Sequence, residues 1–185
     1  YMSSVSRSVL LLFAHPAIHR SRANAALAEA VRDLEGVTFR DLYEEYPDHL
    51  IDVKAEQKLL AEHDAVVVQH PFYWYSAPSI VKEWLDLVLT HGWAYGEGGR
   101  ALAGKTWMSA ITAGGPDETY GAEGRNRFTI HELMRPFEAT AQLCGMHWRD
   151  PFVLNASHQL NNAELADAAR RYRAHILALQ RSEAG

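Results

Sequence analysis

The chain has a single cysteine, Cys144. One cysteine excludes an internal disulfide and fits a reducing compartment. It falls in an apolar helical pattern, where a thiol serves as a small core residue rather than a nucleophile. No apolar run approaches the roughly 18 residues that cross a bilayer, and no signal-peptide pattern precedes the first strand. Tyr1, ahead of Met2, reads as an added residue and is left out of the fold. A large excess of either charge is also lacking: 18 basic residues against 23 acidic give a net charge of −5, with basic residues scattered rather than striped. That leaves no electrostatic footprint for nucleic acid or an anionic membrane. Several motifs are missing as well. There is no GxxxxGKS/T to support triphosphate hydrolysis and no GxSxG nucleophile elbow. The glycines of GEGGRALAG (96–104) are neither GxGxxG nor placed directly after a strand. His15 and His19, four apart, lie in a loop around Pro16 without a Cys or acidic partner at ligand spacing, so no metal is expected.

What is present is an ordinary globular composition: 185 residues, 48% hydrophobic and 22% charged. That length is enough for one α/β domain with a real core, and no linker or composition shift divides it. Continuous apolar runs at Val9–Ala14 and Ala65–Gln69, each leading into His-Pro, read as strands buried on both faces. Lys105–Thr112 reads as a third buried strand, and Val37–Leu42 and Trp148–Leu154 as two less buried ones. Between them lie helical patterns. One follows Ser21 as N-cap, with Leu27, Val31 and Leu34 inward and Gly36 as the stop. One runs from Asp52 to about His63, with Leu59 and Leu60 inward. A third has Pro78 in its first turn and Ile80, Trp84, Leu87 and Val88 as its stripe. Ile130 to Cys144 form a helix that Pro136 kinks or divides, stopped by Gly145. The last, from about Asn162, carries Leu165, Ala169, Tyr172, Ile176 and Leu179. The alternation predicts a three-layer α/β/α sandwich over a five-stranded parallel sheet in the order 2-1-3-4-5.

Such sheets bind ligands beyond the carboxyl ends of their strands, where the strand order reverses, here between strands one and three. HPAIHRSRAN (15–24) and HPFYWYSAPS (70–79) meet there, with TAGGPDETYG (112–121) beside them. The first loop ends at a helix start with Ser21 and Asn24 near the cap and Arg20 and Arg22 flanking it, which suits a phosphate or is simply a solvated cap. The second offers four successive aromatics, Phe72, Tyr73, Trp74 and Tyr75, as a flat surface or as core packing. The paired Gly114 and Gly115 let backbone amides approach a ligand or make an ordinary turn. Together, a phosphate end, an aromatic wall and amide donors describe a flavin mononucleotide site, in which donors at the pyrimidine edge would raise the reduction potential.

These residues also carry a resemblance. The His-Pro…Ser-x-x-Asn of the first loop, HPFYWYSAPSIVKEWLDLVLTHGWAYG (70–96) and TAGG (112–115) resemble the flavodoxin-like NAD(P)H:quinone oxidoreductases. More narrowly, they resemble the ancillary flavoproteins of glutathione-gated (Kef-type) potassium-efflux systems. LYEEYPD (42–48) and RPFEATAQLCGM (135–146) extend the match over nearly the whole chain. The resemblance implies that His15 and Ser21, Arg22, Ala23 and Asn24 hold the FMN phosphate and ribityl chain. It implies that Phe72 to Tyr75 hold the isoalloxazine, and that Thr112, Ala113, Gly114 and Gly115 donate to its pyrimidine edge. Tyr95 would wall a substrate pocket, commonly across a homodimer interface. Tyr120 matches a tyrosine proposed to manage the proton that accompanies hydride transfer. The histidine paired with it in larger relatives falls here near Arg125, Asn126 and Arg127, and neither residue type is a good acid near neutral pH. The little sequence beyond the last helix favours FMN over FAD.

The leading expectation is therefore an FMN-dependent NAD(P)H oxidoreductase with a quinone-type acceptor, cytoplasmic and homodimeric. A second is a regulatory subunit docked on the cytoplasmic face of a potassium-efflux transporter, and a third a ligand-binding α/β domain without redox activity.

Overall fold

A computed structural model describes residues 6–181; the reading of Tyr1 lies outside them. Five strands, β1 (Val9–Phe13), β2 (Val37–Asp41), β3 (Ala65–Pro71), β4 (Thr106–Thr112) and β5 (His147–Leu154), form one sheet in the order β2-β1-β3-β4-β5. Every pairing is parallel. The order reverses between β1 and β3, as the alternation of elements predicts.

Successive strand side chains point to opposite faces, so a wholly apolar strand fills two cores. Leu10, Leu12, Val66, Val68, Trp107 and Ile111 face one core, covered by α3 (Val53–Glu62), α4 (Ser79–Val88), α5 (Ile130–Leu133) and α6 (Arg135–Leu143). Val9, Leu11, Phe13, Val67, Met108 and Ala110 face the other, covered by α1 (Arg22–Val31) and α7 (Asn162–Arg181). β1, β3 and β4 are buried throughout, whereas β2 is only half-buried and β5 exposes its first turn of residues.

The capping residues act as expected. Ser21 accepts from the Asn24 amide at α1, and Asp52 from that of Ala55 at α3. Pro136 divides its helix at Met134 into α5 and α6; Thr129 and Glu132 start α5 with a reciprocal capping box. Gly145 follows with φ of +70°, the left-handed turn a helix stop needs.

Four details differ from the sequence reading. A short helix, α2 (Leu42–Glu45), follows β2 directly because the Asp41 carboxylate caps the amides of Tyr43 and Glu44; Leu42 therefore leaves the strand. Pro78 is the N-cap of α4 rather than part of its first turn. Leu87 is 39% exposed, and Val81 takes its place in the buried stripe. On α7 the fully buried alanine is Ala168, with Ala169 beside it only half-buried, because the stripe drifts around a 20-residue helix.

Candidate functional site

The three loops named above converge beyond the carboxyl ends of β1, β3 and β4, and one residue joins them. Thr112, at the end of β4, accepts the Phe72 amide on its carbonyl at 2.8 Å and the Asn24 carboxamide on its hydroxyl at 2.8 Å. Asn24 is 2% exposed. Its Nδ2 also donates to Ser21 Oγ at 3.0 Å, leaving Oδ1 buried without a partner among the described residues. A buried acceptor left unpaired is costly and marks a place that a donor from a ligand would complete.

The helix start is equally open. Ser21 Oγ accepts from Asn24 twice, so its own proton is free to donate. Among the described residues the amides of Arg22 and Ala23 have no acceptor, as the first turn of a helix leaves them. His15 is nearly buried. The Ala17 amide donates to its Nδ1 at 3.0 Å, which fixes the proton on Nε2 and makes that nitrogen a donor. Burial, followed by the nearby His19, lowers the His15 pKa and keeps the ring neutral. Its edge meets Tyr73 at 6.2 Å between ring centroids. Arg22 is oriented differently: its guanidinium donates to the Leu160 carbonyl and to Asn162 Oδ1, so it braces the β5–α7 turn.

The aromatic segment forms a tight turn, residues 73–75, in which Trp74 (φ 49°) and Tyr75 (φ 62°) are both left-handed. Non-glycine residues hold that conformation at about 1–2 kcal/mol each, and such strain collects at ligand clamps. Trp74 is 91% exposed and Tyr73 and Tyr75 nearly half so, while Phe72 packs inward. Tyr120 stacks on Phe72 at 6.1 Å with rings 27° apart. Burial, and then nearby Tyr75, raise its phenol pKa and hold it protonated. Tyr75 donates from its hydroxyl to Asn126 Oδ1 at 3.1 Å, so Asn126 anchors the aromatic turn instead of serving as an acid.

In the glycine loop, the Ala113 amide is spent on the Leu154 carbonyl, whereas the amides of Gly114 and Gly115 keep no acceptor among the described residues. A Cβ on Gly115 would lie 2.9 Å from Thr119 Oγ1, so a side chain there would require Thr119 to shift.

Two groups fall outside the expected pattern. Tyr95 lies elsewhere in a single chain. It packs edge-on to His91 and lines a cavity of about 280 Å³ with Leu85, Leu89, Leu143 and Cys144 between α4 and α6. Conversely, Ser157 and His158 on the β5–α7 turn share a small cavity with Arg20, Ser21, Arg22 and Ala23, a contribution the sequence reading missed. β5 neighbours β4, so its carboxyl end opens on the same edge; the polar AS-H after VLN was the available signal.

Comparison with known proteins agrees with the strand order and layering of the fold. A family model described as a flavodoxin-like fold matches residues 7–176. The glutathione-regulated potassium-efflux system ancillary protein KefG of Pectobacterium atrosepticum is 49% identical over 164 residues, 89% of this chain and 90% of that protein. The general stress protein 14 of Treponema denticola, solved in complex with FMN, superposes with a TM-score of 0.90 at 41% identity, over 94% of this chain and 99% of that one. An NADPH-quinone reductase from P. pentosaceus superposes with a TM-score of 0.83 at 30% identity, over 91% and 96%. With the strand order and these likenesses in agreement, the chain belongs to the flavodoxin-like fold family, in which it is similar to KefG ancillary proteins and to NAD(P)H quinone reductases.

Proposed function

We propose that the protein is an FMN-dependent NAD(P)H oxidoreductase that passes two electrons to a quinone-type acceptor. The observation that carries this reading is the set of unspent polar groups on one edge of the sheet: Asn24 Oδ1, the Ser21 hydroxyl, the first amides of α1 and the amides of Gly114 and Gly115. Their chemistry fits FMN part by part. The α1 start and Ser21 would bind the phosphate, with His15 Nε2 a further donor. Asn24 Oδ1 would accept from a ribityl hydroxyl. Gly114 and Gly115 would donate to the pyrimidine edge, and the exposed rings of residues 73–75 would cover a flat face. Bound FMN supplies a carrier that takes hydride from a nicotinamide and yields it to an acceptor. Tyr120, kept protonated by burial, lies beside Gly115 and would hold a proton there, while Asn126 fixes Tyr75.

The test begins with the visible spectrum of freshly purified protein. A flavin spectrum, release of FMN on denaturation, and NADH or NADPH oxidation that depends on added quinone are the expected results. Protein that is colourless, gains no stability from FMN and oxidises neither nucleotide with a quinone would overturn the reading.

The identity to KefG favours a second role that coexists with the first, a cytoplasmic ancillary subunit of a potassium-efflux transporter. Co-purification with the transporter, and efflux measured with and without this protein, test it; unchanged efflux and no complex would remove it. Among the described residues no helix is long and apolar enough to cross a membrane.

A further inference from the structure

The β5–α7 turn is tied by hydrogen bonds to two neighbouring segments. The Ala156 amide donates to the Gly115 carbonyl and the Ser157 amide to that of Ala113, which ties the turn to the glycine loop. From the other side Arg22 grips Leu160 and Asn162, which ties it to the start of α1. Ala156 accepts a left-handed φ of 50° to make the bend. The result places the His158 ring against Gly114, whose Cβ would sit 3.4 Å from His158 Cδ2. Across a cavity of about 80 Å³ it faces the α1 start, with Arg20, Ser21, Arg22 and Ala23 opposite.

The cavity is small, polar and furnished with unspent donors. Ser157 is buried, and among the described residues neither its hydroxyl nor the His158 imidazole makes a hydrogen bond. The Arg20 guanidinium is likewise without a partner there. Beside the cavity, the fully buried Asn24 carboxamide spans Ser21 and Thr112 with Oδ1 unpartnered. The buried Ser157, its hydroxyl unpaired among the described residues, lines the cavity from the β5–α7 turn and is the observation separate from the helix start that points to a ligand there.

We propose that His158 and Ser157 form the far wall of the phosphate pocket and donate to the phosphate itself, so that this turn gives the site its preference for a phosphorylated flavin over the unphosphorylated one. This rests on the reading that flavin occupies the site. A helix start alone surrounds one side of a phosphate; side chains across the gap are needed to meet the remaining oxygens. A hydrogen bond from a side chain to a charged oxygen is about twice as strong as a neutral one.

The test is titration of the full chain, stripped of flavin, with FMN and separately with riboflavin, following quenching of flavin fluorescence. His158 is exposed, so replacing it leaves the core intact. His158→Ala is expected to weaken FMN binding about tenfold while leaving riboflavin affinity unchanged. His158→Gln, which keeps a donor, is expected to recover part of the loss, and Ser157→Ala to lose several-fold. FMN affinity unchanged in His158→Ala, or equal losses for both flavins, would overturn the proposal while leaving FMN binding by the wild type in place. Wild-type protein that binds neither flavin would instead overturn the reading beneath it. In that event, thermal stabilisation by inorganic phosphate in wild type but not in His158→Ala would sustain the phosphate wall, and its absence in both would remove that too.

Discussion

His70 shows what a single residue can hide. It lies in the middle strand β3 and is fully buried. Nδ1 donates to the Pro71 carbonyl at 2.8 Å, and Nε2 has no partner among the described residues. Its ring lies 5.9 Å from that of Phe137. Burial pushes its pKa down to about 4, against the opposing pull of the Pro71 carbonyl. The folded state therefore keeps the ring neutral, while the unfolded chain takes a proton near pH 6.5. Between those values the unfolded state binds more protons, so stability falls as pH drops from about 6.5 toward 4 and is unaffected above that window. The full effect is of order 3 kcal/mol. Urea unfolding at pH 7 and pH 4.5 is expected to show His70→Phe losing about 2 kcal/mol less than wild type over that interval; equal losses would exclude the role. The His-Pro ending was legible in the sequence, but the orphaned nitrogen was not, because it depends on which helix covers the strand. The aromatic turn divides in the same way. HPFYWYS announced an unusual loop at the right strand end, yet the left-handed Trp74 and Tyr75, and the Asn126 anchor, arise only when residue 126 is folded back on residue 75.

At the scale of elements, apolar period and caps made the five strands and the main helices readable, since burial on two faces and side-chain capping are local properties of the chain. What stayed hidden was polar and long-range. Glu56, in the first turn of α3, looks like a solvated helix residue but is 0% exposed. Its Oε1 accepts from Arg40 Nε of β2 at 2.7 Å and from Tyr46 OH at 2.6 Å, and its Oε2 from Trp84 Nε1 of α4 at 3.0 Å. One carboxylate thus fastens β2, the segment after α2, α3 and α4 behind the aromatic loop. A buried ion pair adds little over an apolar replacement, but removal of one partner leaves an uncompensated charge. Arg40→Met is expected to destabilise the protein by about 3–5 kcal/mol, measured by urea unfolding at neutral pH. A loss below about 1 kcal/mol, the value of an exposed pair, would show that solvent rather than Arg40 compensates Glu56.

At the scale of the molecule, Tyr95 lies apart from the three-loop site within one chain. The family resemblance places this tyrosine at a substrate pocket, yet within the chain it lines the cavity between α4 and α6, and its ring contact is to His91. Meanwhile the aromatic turn of the three-loop site exposes Trp74 at 91%, and Tyr75 and Tyr73 nearly half. Large exposed apolar groups gathered at one place mark a surface that another molecule covers, and a two-fold dimer lets each copy offer the same patch to the other. Both facts are met if a second copy closes the site mouth and supplies its Tyr95 there. Light scattering is then expected to give twice the chain mass at micromolar concentration. In that arrangement Tyr95→Ala is expected to raise the KM for quinone several-fold with FMN affinity unchanged, because the residue would border the acceptor's space and none of the groups assigned to the flavin. In dimers mixed with a Ser21→Ala, Asn24→Ala chain that cannot hold flavin, the position of Tyr95→Ala decides the matter. Placed on the flavin-free chain it should raise KM, and placed on the flavin-loaded chain it should not. The reverse pattern, or a monomer with undiminished quinone turnover, would put Tyr95 back in its own chain's core and leave the exposed aromatic turn to a different partner.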